Sequence, residues 1–118
     1  MPITRFPGTV PGRCEAVVSD GLVYAVVNAP QPGGTIEAQT AGALAELERV
    51  LSAAGSGRAG LLQVTVYLAD IHLKPRMDTV WTPWIGAAAH WPQQACLGVG
   101  LDDGYLIEIV ATAKVLDG

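Results

Sequence analysis

Glu15-Ala16-Val17-Val18-Ser19-Asp20-Gly21-Leu22-Val23-Tyr24-Ala25-Val26-Val27 sets two apolar, β-branched runs on either side of an Asp-Gly pair. Such runs favour extended backbone, and Asp-Gly between them fits the two-residue type I′ turn, whose central positions both need positive φ. The segment predicts a hairpin of Glu15–Ser19 and Leu22–Val27, preceded by a short strand at Pro2–Phe6.

Beyond the hairpin the period changes. Thr35 is placed to cap a helix in which Ile36, Ala43, Leu44, Leu47, Val50, Leu51 and Ala54 recur at helical spacing, and Gly55 ends it. Alternation returns at Leu61–Leu68, with Leu62, Val64, Val66 and Leu68 on one face. Met77, Val80, Trp81 and Trp84 then fall at i, i+3, i+4 and i+7, predicting a second helix from near Pro75. Pro83 lacks the amide that would bond to Thr79, so a kink or an end is expected near Thr82. Gln94–Gly100 and Tyr105–Val115 read as two closing strands joined through Asp102-Asp103-Gly104. The order is ββαβαββ, an α+β two-layer sandwich with helices on one face of a sheet.

At 118 residues the chain fits one domain, 1–118. Half of the residues are apolar and 15% are charged, which is rich for a surface wetted on all sides. The last strand sharpens the point: Ile107, Ile109, Ala111, Ala113 and Val115 form one apolar row, and Leu106, Val110 and Thr112 make the other row largely apolar. A sheet with helices on one side can cover its second face by packing against copies of itself. The net charge of −4, with seven scattered Lys and Arg, argues against nucleic acid as a partner. No apolar run approaches the ~20 residues of a membrane span. Cys14 and Cys96, without a signal peptide, read as free thiols in a reducing compartment, hence a cytosolic protein. His72 and His90 have no further ligand types at metal-binding spacing, so no metal is expected.

Several short strings now coincide in order and spacing with one family. Glu37-Ala38-Gln39-Thr40, Ala53-Ala54-Gly55-Ser56, Val64-Thr65-Val66-Tyr67-Leu68-Ala69-Asp70, Pro92-Gln93-Gln94-Ala95-Cys96 and Leu106-Ile107-Glu108-Ile109 together resemble the RidA/YjgF proteins, the reactive-intermediate deaminases. The resemblance implies a chorismate-mutase-like domain, a homotrimeric barrel and ligand clefts between subunits. It also implies hydrolysis of small imines or enamines to carbonyl compounds and ammonia, with no metal or organic cofactor.

The family site uses an arginine to grip the substrate carboxylate and a glutamate to handle the attacking water. Glu108 matches the glutamate; Gln94 stands in the arginine's place. An arginine fork offers two charged hydrogen bonds and a glutamine amide only neutral donors, so carboxylate recognition is weakened. Arg13 stands where many members carry a tyrosine close to the ligand, so positive charge has either moved into the cleft or is a solvated residue at a strand start. Asn28, within Val26-Val27-Asn28-Ala29, replaces part of the usual Ser-Gly-Gln segment and joins the candidate binding residues with Gln94, Arg13 and Cys96. Against a reactive thiol in the cleft stands the commoner role of a strand cysteine, a small core hydrophobe, and that reading is preferred for Cys96. Glu108, flanked by apolar neighbours, is either the catalytic carboxylate or half of an intersubunit ion pair. Retention of Glu108 favours an enzyme, and loss of the arginine favours a non-catalytic ligand-binding or regulatory trimer.

Overall fold

The computed structural model describes residues 2–116. Three strands open the chain: β1 (Thr4–Pro7), β2 (Cys14–Ser19) and β3 (Leu22–Asn28). Asp20 and Gly21 take φ of 51° and 78°, the positive pair that a type I′ turn requires, so β2 and β3 close as the expected hairpin. Next come α1 (Ile36–Ala53), β4 (Leu61–Leu68), α2 (Lys74–Ile85), β5 (Gln93–Gly98) and β6 (Ile107–Lys114). The short first strand is therefore real, and the order is βββαβαββ.

The six strands lie in the order β1-β2-β3-β6-β4-β5. Helical crossovers are the usual way to join parallel strands, and here α2 carries the chain from β4 to its parallel neighbour β5. The α1 crossover leaves a gap between β3 and β4, and β6 fills it, antiparallel to both. The closing strands are thus not neighbours, although they follow one another in sequence.

Both helices cover one face of the sheet. Thr35 caps α1 by accepting from the Ala38 amide at 3.1 Å. The stripe Ile36, Leu44, Leu47, Val50 and Leu51 is buried against Val23, Val64, Val66, Ile107 and Ile109. Each such side chain contributes about 1.5–3 kcal/mol by leaving water.

One side-chain placement and one helix end differ from expectation. Leu62 is 48% exposed, because a bulge between Leu61 and Gln63 sends Leu61 into the core in its place. Pro83 does not end α2, which runs on to Ile85; the proline falls in the final turn, so only one intrahelical bond is lost, and Gly86 at φ 71° makes the stop.

The second face of the sheet carries no element of the described chain. Its rows follow the register: Tyr24 beside Thr112, Val26 beside Val110 and Thr65, and Asn28 beside Glu108 and Tyr67. Tyr24 and Val26 are each 47% exposed, an apolar surface in open water.

Candidate functional site

Two hollows hold the chemistry-bearing residues, and they differ in kind. The larger, about 590 Å³, is bordered by the chain before β2, the end of β3, α1 and the loop before β6. Because Ile107 and Ile109 point into the core, alternation turns Glu108 to the open face, where it lies half-buried between Asn28 and Tyr67. Arg13 lines the same hollow and follows Gly12, whose φ of 86° lets the backbone turn into β2.

A second cation at this rim is already committed. Arg49 donates to Glu15 at 2.9 Å and to Glu46 at 2.8 Å, and these two carboxylates hold its pKa well above the ordinary arginine value. Arg13 has no ion-pair partner among the described residues. The free positive charge of the hollow is therefore that of Arg13.

The rim is stitched by one buried side chain. Gln39, 2% exposed, donates from Nε2 to the Gly33 and Gly104 carbonyls at 2.8 and 2.7 Å. Its Oε1 accepts from the Leu106 amide at 2.7 Å. The loops after β3 and before β6 are thereby fixed to α1, and Leu106 lies two residues from Glu108.

The smaller hollow, about 280 Å³, opens at the sheet edge between the last turns of α2 and β5. Trp81, Thr82, Ile85, Trp91, Pro92 and Gln94 line it, and none carries a charge. Gln94 pairs with Val64, whose side chain is in the core, so it faces the helical layer; its Nε2 is buried with no hydrogen-bond partner. Cys96 follows on the same face and packs against the core. Burial pushes its thiol pKa up, partly offset by the Lys74 ammonium.

Residues 15–115 match the family described as Endoribonuclease L-PSP. The chain belongs to this RidA/YjgF family. It is 35% identical over 78 residues to the RutC family protein YoaB of Escherichia coli K12, covering 65% of this chain and 68% of that protein. A RutC family protein of Haemophilus ducreyi is 26% identical over 103 residues, 86% of this chain and 87% of the relative. The crystal structure of NMB1025, a YjgF family member from Neisseria meningitidis, superposes with a TM-score of 0.92 at 34% identity, covering 100% of this chain and 98% of the other.

Within this RidA/YjgF domain the sequence-derived candidates separate. Arg13, Asn28 and Glu108 share the charged hollow, together with Cys14. Gln94 lines the neutral one, and Cys96 lines neither. Asp102 and Tyr105 also border the charged hollow, although their sequence reads as a turn and a strand start. Gln39 is the residue that sequence reasoning missed most completely: as a polar residue in the helix-opening string it reads as lying off the buried stripe, yet it is 2% exposed and its three backbone partners lie at positions 33, 104 and 106. Among the described residues, no three His, Cys, Asp or Glu side chains gather to hold a metal ion. No described helix is long and apolar enough to cross a membrane.

Proposed function

We propose that this RidA/YjgF protein is a cytosolic homotrimer that hydrolyses a small imine, enamine or related carbonyl compound in clefts between its subunits. The observation that carries the reading is the half-buried Glu108 on the uncovered sheet face, in one hollow with the unpaired Arg13 and with Asn28. The uncovered apolar rows of Tyr24 and Val26 supply the surface on which copies would pack.

In this reading the Glu108 carboxylate takes a proton from water as the hydroxyl adds to the imine carbon. The tetrahedral adduct receives that proton on nitrogen; the proton of its new hydroxyl then passes through Glu108 to the same nitrogen as the C–N bond breaks, and a carbonyl compound and ammonia leave. Arg13 and the Asn28 amide stabilise charge developing on the substrate. An enamine first moves a proton to carbon and enters as its imine. RNA is a poor candidate substrate, because Arg49, Arg58, Lys74 and Arg76 are all tied to carboxylates and the net charge is −4.

The test is ammonia and carbonyl release from neutral imines and from freshly generated 2-aminoacrylate, with light scattering of the same sample. A trimer that releases carbonyl product, and loses this in Glu108→Gln, is expected; 2-aminoacrylate should be a poor substrate of the wild type. A monomer at all concentrations, or turnover indifferent to Glu108, overturns the reading. A second reading, a non-catalytic ligand-binding trimer, is favoured by Gln94, which replaces the gripping arginine and faces another hollow. It predicts saturable ligand binding with no release of product.

A further inference from the structure

The neutral hollow at the sheet edge has features that neither packing nor the chemistry of Glu108 explains. Trp91 is 61% exposed, a large cost for an indole that could have packed inward. It is not loose, because its Nε1 donates to the Gly86 carbonyl at 2.9 Å and fixes the ring in place. Trp81 lines the same hollow, 9% exposed and braced against Trp84, with ring centroids 5.6 Å apart. Ile85 and Pro92 complete apolar walls. The hollow thus offers flat, preordered faces at low entropic cost to an incoming ring.

One polar group of a lining residue is unsatisfied. Gln94 borders the hollow, and its Nε2 is buried without an acceptor among the described residues; an orphaned buried donor is destabilising until something accepts from it. A ligand carboxylate is a poor match, since nothing in the lining carries a positive charge to compensate its desolvation. A carbonyl or carboxamide oxygen needs only the neutral donor that Gln94 supplies. Size agrees: a cavity on the order of 150 Å³ holds benzene, and this hollow measures about 280 Å³.

We infer that the Trp81–Trp91–Gln94 hollow is a binding site for an uncharged planar ring compound, whose carbonyl or amide oxygen accepts a hydrogen bond from Gln94. The indole faces hold the ring, and Gln94 fixes its orientation. A part in catalysis rests on the hydrolytic reading above and requires assembly to bring this hollow of one subunit beside the Glu108 hollow of another, with neutral cyclic or aryl-substituted imines as the substrate class. As a binding site it stands without that reading.

The test uses two probes of one shape and different charge, benzamide and benzoate, titrated into the intact protein by calorimetry and tryptophan emission. Benzamide should bind saturably and change the emission, and benzoate should bind at least roughly tenfold more weakly, because its carboxylate can accept the same hydrogen bond but brings a desolvated charge that nothing in the lining compensates. Gln94→Leu should weaken benzamide about tenfold while leaving toluene unaffected, and Gln94→Arg should invert the order of benzamide and benzoate. Trp91→Ala should weaken every ring probe. The wild-type comparison needs no variant, so it decides even if a substitution impairs folding. Benzoate binding as tightly as benzamide, or no saturable benzamide binding because another copy of the chain fills the hollow, overturns the inference. Selective benzamide binding by a protein that hydrolyses no imine would retain this site and remove the hydrolytic reading. Efficient hydrolysis of imino acids by a protein that prefers benzoate would do the reverse.

Discussion

The two hollows are built from one chain and one sheet, yet they divide the chemistry between them. One gathers Arg13, Glu15, Arg49 and Glu108 near the meeting of β2, β3 and β6; the other collects Trp81, Trp91 and an unpartnered amide at the edge of β5. Charge gathers where several strands and a helix meet, part of it paired, as at Arg49, and part of it free, as at Arg13, whereas β5 carries only neutral side chains. This division fits the expectation from the family resemblance that Gln94 stands in an arginine's place: an ion there would have no partner among the lining residues. On the proposed function, specificity and reactivity can then change independently.

Glu108→Gln tests the charged side most severely. If a substrate is turned over, kcat should fall by about 10²–10⁴-fold, the usual contribution of a general acid or base, with thermal stability retained. A comparable loss on Gln94→Leu, measured with a neutral substrate, would break the division, since that substitution should act mainly through KM.

Gln39→Leu comes next. It leaves the Gly33 and Gly104 carbonyls and the Leu106 amide without their partner, and a cost of roughly 2–4 kcal/mol is expected from denaturant unfolding. Only the charged hollow is bordered by these loops, so ring-probe binding at the edge hollow should survive while turnover declines. Simultaneous loss of both in the folded variant would mean that the two hollows are one unit.

Smaller effects follow at Cys96 and Glu37. Desolvation raises the Cys96 thiol pKa, so its thiolate fraction near neutral pH is below that of a free cysteine, and alkylation by iodoacetamide should lag behind glutathione until the solution is distinctly alkaline. Rapid labelling of Cys96 would contradict its packing against the core. At Glu37, the Arg76 guanidinium lowers the carboxyl pKa below its ordinary 4.5. Its stabilising effect is therefore complete above that value and fades as pH falls through the lower folded-state pKa. Arg76→Gln should remove this slight acid-range slope, read from urea midpoints at a series of pH values, and touch neither hollow.

How much was legible in the sequence follows the range of the determining contacts. The hairpin, the Thr35 cap and the alternation of β6 depend on neighbours within a few residues, and their sequence signals are correspondingly direct. The face on which Glu108 lies could also be read, because Ile107 and Ile109 are apolar on both sides of it. Gln94 was different. Its direction depends on which strand β5 pairs with and in which register, Val64 beside Gln94, and nothing local encodes that choice. Leu62 shows the same limit at smaller scale: alternation assigned it to the core, and one bulge exchanged it with Leu61. Family resemblance identified Glu108, Arg13 and Asn28 as candidates, but not Gln39, two of whose three backbone partners lie 65 and 67 residues away.

The position of β6 has a consequence for biosynthesis. Because Ile107–Lys114 is the strand between β3 and β4, the sheet exists as two unjoined ribbons, β1-β2-β3 and β4-β5, until residues 107–114 have left the ribosome. During that interval β3 and β4 each present an open row of amides and carbonyls, the edges most prone to pairing with another nascent chain. The closing step then makes long-range pairings on both sides at once, so folding should be governed by the arrival of the last strand, and a ribosome stalled before residue 107 should display a segment that chaperones bind and proteases cut.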